Sequence, residues 1–454
     1  MSECGNQNGY RYSRHVVLQI VGSALVVLAA HWFLPFAKPE HDAADYLFLA
    51  RNIRFEGASL YSHNPELQYQ VMLAHQYPGT IRHLPPGIPD AALHFPPGYP
   101  WILSFFVGQD NLGRAPLVQR MCLGVTIGLS SIWTTIKFGS TSGWLVFVLL
   151  SINPALIASS GRLSSEALHL PFYLAGFLAW FGFLETRNRR MLMVCAVCFG
   201  LSIYLRAYGL LLVLFLPVLL TLGRNKFSWK EKVGYGTVFA ACCIFILAPW
   251  VARNYWQFGH VIPITTSGKS LYAGWFPPGP KQFGMTPNDE VVKAAAKIED
   301  LYARDVFYRE ATIRRLLEEP QRAAVTIIRK YVFYLMPLDW EYFGWINRQG
   351  RLRPSLHFIY VFLLPFVIGY TIQHRKDTLF WTRDMAPVFY GFLMTLLVYG
   401  IPRFRLCIEP FLTIFAASYL VGWIKTDRSF RTMLAATYFL ACIAAACVVR
   451  YASH

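Results

Sequence analysis

Charge is what this sequence has too little of. Only 15% of its 454 residues are Asp, Glu, Lys or Arg, where a soluble domain of this size carries about 25%. The shortfall excludes a soluble enzyme, because the apolar residues are also clumped. Val16–Phe36, Trp144–Ser159 and Val388–Gly400 contain few or no charges, and ~20 such residues cross a bilayer core. Several runs are shorter, which predicts tilted or partial crossings. Cysteine is missing where a disulfide framework would need it. None of the nine lies between Lys38 and Gly113 or between Arg253 and Leu406, so the two long polar stretches hold no disulfide. Cys195 and Cys198 have CxxC spacing, but inside an apolar run, where packing explains them. No paired CxxC metal pattern, internal repeat or low-complexity linker is present.

What is there in excess is positive charge, a net +17. The basic residues sit mostly in short connections: Arg187, Arg189 and Arg190; Arg224, Lys226, Lys230 and Lys232; Arg375 and Lys376; Lys425, Arg428 and Arg431. That is the positive-inside pattern of a membrane protein, not a nucleic-acid surface. Arg11 and Arg14 precede the first span and place the N-terminus in the cytoplasm. The first run ends in Leu34-Pro35-Phe36 and exceeds a signal h-region in length, so it reads as a retained helix.

The predicted fold class is all-α, a polytopic membrane protein in one domain (1–454). Keeping the basic loops inside gives about eleven transmembrane helices: Val16–Phe36, Leu117–Lys137, Ser142–Ser159, Ala167–Leu184, Met191–Tyr204, Gly209–Leu222, Val233–Val251, Ser355–Ile372, Met385–Gly400, Ile408–Trp423 and Met433–Val449. Pro97–Val107 and Ala323–Met336 are short for a crossing and are expected as in-plane or juxtamembrane helices on the outer side. Two large outer loops follow from this parity, 37–95 and 253–354, and the C-terminus falls outside. In the second loop, Thr265–Pro280 is expected to be a mobile cover, with Lys269 reaching an anion and Tyr272 and Trp275 offering flat faces to a sugar. The bland alternative is a loop whose aromatics rest at the lipid headgroups.

Ionisable residues at the ends of apolar spans are costly and therefore functional candidates. The map gathers Asp42 and Asp45, Arg162 and Glu166, Arg206, Arg253, and Arg403, Arg405 and Glu409 on one side. A lone Arg206 reads equally well as a snorkelling side chain. Four arginine-bearing turns on one face suit a phosphate or pyrophosphate at the membrane surface. Asp42 and Asp45 share a helical face; one suits a general base and the other an orienting group or metal ligand, against a plain helix-dipole role. Five of the twelve histidines, His41, His63, His75, His83 and His94, fall in the first loop with no i, i+4 pair, which favours solvated histidines over a metal cluster. The prolines of His94-Phe-Pro-Pro-Gly-Tyr-Pro100 make a rigid entry to the next helix and fix His94 at the membrane surface.

Taken in order, these residues resemble the GT-C membrane glycosyltransferases, and within them the bacterial aminoarabinose transferase and protein O-mannosyltransferase group. The matching elements are Asp42-Ala-Ala-Asp-Tyr46, His94–Pro100, Ser165-Glu166 and Arg206. They continue with Pro249-Trp-Val-Ala-Arg253-Asn254-Tyr-Trp-Gln-Phe-Gly259 and Arg403-Phe-Arg405-Leu-Cys-Ile-Glu409-Pro410. The chain has Asp42-Ala43 where the family often has Asp-Glu, and the Asp42 to Tyr46 spacing follows the aminoarabinose transferases.

The resemblance implies a sugar carried on polyprenyl phosphate and an acceptor whose identity is open: lipid, glycan or protein. It also implies inverting displacement on the outer, periplasmic face of a bacterial plasma membrane. It assigns Asp42, with Asp45, to catalysis; Arg253, Arg206, Arg405, Arg403 and His94 to the donor phosphate; and Tyr46, Glu166, Arg162, Lys269 and Tyr272 to the substrates. It assigns no definite cofactor and leaves a divalent metal as an open expectation. Membrane lipids are partners and nucleic acid is not. The rival classes are a transporter or flippase for a phosphate-bearing lipid, which usually shows internal repeats, and a non-catalytic scaffold.

Overall fold

The computed structural model describes residues 3–34, 36–37, 39, 42–55, 96–223, 227–261, 267–276, 289–298, 300–335, 338–339, 345–346, 352–353, 355–356, 358–398 and 400–426. Helices dominate them. Four can cross a bilayer by length and apolarity: residues 13–33 of α1 (Glu3–Phe33), α4 (Ala115–Phe138), α7 (Ser165–Thr186) and residues 229–256 of α10 (Trp229–Phe258). A fifth candidate is a bent pair, α5 (Ser140–Ser151) and α6 (Pro154–Ser160), which turn by 57°. Shorter helices follow: α8 (Arg189–Leu205), α9 (Leu212–Leu222) behind the 3-10 turn Ala207–Leu211, α15 (Phe358–His374), α16 (Ala386–Leu397), the four-residue α17 (Pro402–Arg405) and α18 (Glu409–Thr426). Ten of the eleven predicted spans coincide with one of these elements, and 433–449 lies outside the described residues. This is a multi-pass membrane protein, although length alone does not carry the count to eleven crossings.

Lipid tails are as apolar as leucine, so the spans associate by close packing and polar contacts rather than by the hydrophobic effect. The α1–α4–α5 contact shows both. Gly124 and Gly143 stand where a Cβ would strike Val27 and Thr135. Gln19 on α1 donates its amide to Thr135 Oγ1 on α4 at 2.8 Å, satisfying a buried amide in the membrane. The central core joins α4, α5, α7, α8, α10 and α18 around Trp180, Phe177, Phe199 and Phe411.

Local sequence sets where helices break. Asn153 caps α6 by accepting from the Ala155 and Leu156 amides at 2.9 and 3.2 Å, with Pro154 fixing the first turn. Ser228 and Glu231 form a reciprocal capping box at the start of α10.

The two predicted juxtamembrane segments are helical: α3 (Gly98–Ser104) and α14 (Pro320–Leu335). Between α3 and α1 lies α2 (Asp42–Phe55), held by Arg54, whose Nη1 reaches the Phe105 and Val107 carbonyls at 3.1 and 2.6 Å beyond the end of α3. The expected mobile cover is a correction. Ser267–Trp275 is a helix, α11, capped by Asp305 from α13 (Leu301–Glu318), which accepts from Ser267 Oγ at 2.8 Å and the Gly268 amide at 2.7 Å. Tyr272, Trp275 and Phe276 are buried with Ala295 of α12 (Glu290–Ala296) and Tyr308 in a satellite core. The aromatics that looked like a sugar platform hold a folded subdomain together. Two antiparallel pairs of two-residue strands, registering Leu338 with Leu356 and Trp345 with Arg353, connect α14 to α15.

Candidate active site

Antiparallel packing of α7 and α8 brings the start of one beside the end of the other. The start of α7 carries Ser164, Ser165 and Glu166; the residue closing α8 is Arg206. The first residue of α2, Asp42, and the short α17 with Arg403 arrive at the same place. Glu166 is 2% exposed and ion-pairs with both Arg206 and Arg403, while its second oxygen accepts from Ser164 Oγ at 2.7 Å. Arg403 also reaches outward, its Nη1 3.3 Å from Asp42 Oδ2. Asp42 is 42% exposed and Arg403 only 10%. One guanidinium therefore bridges a sealed acid and an open one.

Tyr46, one turn into α2, donates its hydroxyl to Ser165 Oγ at 3.1 Å, and Arg206 donates to that oxygen from the other side at 3.1 Å. Burial raises the Tyr46 phenol to about 12, with Asp42 adding to the rise and Arg206 opposing it. It stays protonated and serves as a fixed donor. Its ring meets Tyr99 edge to face at 4.6 Å, and Gln119 donates to the Tyr99 hydroxyl at 2.5 Å. The motifs mark Tyr46 and the Ser165-Glu166 pair among these groups; Ser164 and Gln119 carry no sequence signal.

A divalent cation bridging Asp42 and Glu166 would have to displace the guanidinium of Arg403 already seated there. Among the described residues no three His, Cys, Asp or Glu side chains gather to hold a metal.

Several predicted site residues stand elsewhere or act differently. Arg405 is a correction: it is fully buried and cannot meet a phosphate at the surface. Its guanidinium is used on Glu409 at 3.1 Å, the Tyr334 carbonyl at 2.9 Å and the Tyr360 ring at 3.8 Å. Asn153 donates to the other Glu409 oxygen at 2.9 Å. Glu166 and Tyr46, expected to bind substrate, are both buried: Glu166 pairs with Arg206 and Arg403, and Tyr46 is spent on Ser165. Tyr272 is corrected likewise, its hydroxyl donating to Asp289 at 2.9 Å inside the satellite core. Lys269 sits on α11 with its amide on Asp305 at 3.3 Å. Arg253 lies half-buried near the end of α10, its Nη1 2.9 Å from Asn254 Oδ1 and its guanidinium 5.1 Å from the Trp250 ring. Asp45 and Arg162 are partly exposed near this end, and His94 lies outside the described residues.

Residues 94–252, about a third of the chain, match the family model of dolichyl-phosphate-mannose-protein mannosyltransferases. In fold the chain is similar to the apo oligosaccharyltransferase of Archaeoglobus fulgidus, with a TM-score of 0.51 at 11% identity over 95% of this chain. The chain has a GT-C fold. It covers 54% of that structure, and 55% of the same organism's oligosaccharyltransferase AglB bound to an inhibitory peptide and a dolichol-phosphate (12% identity over 96% of this chain, TM-score 0.48). It thus spans about half the length of these archaeal structures. ArnT from Cupriavidus metallidurans in the apo state matches over 90% of this chain and 78% of its own, at 14% identity and a TM-score of 0.40. No curated protein matches by sequence. The GT-C resemblance read from the motifs thus meets a family match that spans Glu166, Arg206 and the core between them.

Proposed function

We propose that this GT-C chain moves a sugar from a polyprenyl-phosphate carrier to an acceptor on the outer face of the membrane. The observation that carries the reading is the Asp42–Arg403–Glu166–Arg206 cluster at one end of the helices, opposite the basic turn at Arg187 and Arg189. Asp42 is the exposed member and suits a general base. It takes the acceptor hydroxyl proton while that oxygen bonds to the anomeric carbon. The bond from that carbon to the carrier phosphate breaks, and its electron pair leaves with the phosphate, inverting the centre. The leaving phosphodiester monoanion becomes a monoester dianion. As Asp42 gains its proton its pull on Arg403 falls, and Arg403 turns to the phosphate as charge develops there. Arg206 stays with Glu166 and keeps the site's field positive after that change; Arg253 offers a second donor. An acceptor that is itself a phosphate would need no base, and Asp42 would then only orient groups.

The test is release of polyprenyl phosphate when the purified chain is incubated with an acceptor extract and a panel of polyprenyl-phosphate sugars. Release from at least one sugar, lost in Asp42→Asn, is expected. No release from any of the panel, or equal release by the variant, would overturn the reading. Reporter fusions at Gly57 and Gly279 should both report the outer side.

A further inference from the structure

Lys330 is fully buried on α14, and among the described residues no acid pairs with its amine. Its Nζ donates to the Leu396 carbonyl at 2.8 Å and stands 4.1 Å from the centre of the Trp275 ring. Leu396 is in the last turn of α16, where helix carbonyls lack intrahelical partners and the dipole favours a cation. Burial lowers the amine to about 7, so the fold tolerates a desolvation cost to keep it there.

The joint around this lysine is close on every side. Gly400 stands where a Cβ would strike the Lys330 carbonyl, and Gly274 of α11 where a Cβ would strike that of Val398. Tyr331 donates to the Phe392 carbonyl at 3.3 Å, and Thr326 to that of Trp275 at 3.4 Å. One turn along α14, the Tyr334 carbonyl accepts from Arg405 at 2.9 Å. The chain from Leu396 to Arg405 is therefore fastened to α14 at both ends, and Arg403 lies inside that fastened stretch.

We propose that Lys330 is a positioning residue for Arg403: its buried amine clamps the end of α16 to α14 and the satellite core, and so fixes where the Arg403 guanidinium stands relative to Asp42 and Glu166. This rests on the reading that Arg403 serves the carrier phosphate. A lysine acting through Arg403 is coupled to it, whereas a merely stabilising one is not.

The test is a double-mutant cycle on the full-length chain in detergent, with undecaprenyl phosphate as the binding probe. Lys330→Met is expected to weaken binding about tenfold in the native background and less than twofold in an Arg403→Ala background. Lys330→Gln serves the same cycle if Lys330→Met does not accumulate. Equal losses in the two backgrounds, or native binding by the lysine variant while Arg403→Ala is impaired, would overturn the clamp alone. Native binding by Arg403→Ala would instead remove the phosphate reading beneath it.

Discussion

Arg403 and Arg405 are two residues apart in one short turn, and the fold uses them in opposite ways. Arg403 bridges an exposed acid and a buried one, so one side of its guanidinium looks toward the surface. Arg405 points into the protein and is enclosed by Glu409, Tyr334 and Tyr360. An arginine whose acid is sealed cannot release it for a ligand without leaving a buried charge unpaired. One whose second acid is open exchanges that partner at little cost. We therefore assign the proposed chemistry to the open half of the turn and a holding role to the closed half.

The comparison breaks most visibly at Asp42. Asp42→Asn should lower sugar transfer about a thousandfold, the scale of a lost general base, with a melting temperature close to that of the native chain because the side chain is partly exposed and the amide keeps its size. Transfer assays and thermal scans on the same preparation check both halves. Near-normal turnover would leave Asp42 as an orienting group.

Arg405→Ala should act on the closed half. It strips Glu409 of its cation in a fully buried site, a change that costs about 3–5 kcal/mol. The expected result is a large loss of folded protein or of thermal stability, read by size-exclusion yield and melting. A stable variant with weakened lipid binding would reverse the assignment and return Arg405 to the phosphate site.

Arg403→Ala should show the mirror image. Undecaprenyl phosphate binding falls by roughly one charge-assisted contact, about 1.5–3 kcal/mol, while the fold survives with Glu166 still paired to Arg206. Titration of the lipid by intrinsic fluorescence would measure it. Arg253→Ala should behave similarly if Arg253 is the second donor.

The smallest expected effect sharpens the site's inner wall. Tyr46→Phe removes one hydrogen bond to Ser165 and should cost about 1 kcal/mol of stability, with transfer reduced only a fewfold. A thousandfold loss would show that the Tyr46 hydroxyl meets the substrate directly.

The sequence by itself determined the class of molecule and most of the helix positions. Charge depletion, apolar run length and the placement of lysine and arginine are one-dimensional quantities, and a bilayer reads them directly. The spacing of Asp42, Glu166, Arg206 and Arg403 within ordered motifs also marked the residues that the fold brings into one cluster. Only the tertiary structure separated Arg403 from Arg405, because which neighbour in a turn faces the surface depends on the helix packed behind it. Lys330 was hidden for the same reason. Beside Arg329 in an amphipathic segment it reads as a solvated charge, and only the arrival of Trp275 and the end of α16, from segments before and after it in the chain, encloses it. Tyr272 likewise looked like a ligand platform until α13 and Asp289 closed over it. Burial arises from contacts between segments far apart in sequence, and a local pattern of residue types does not encode which of them will meet.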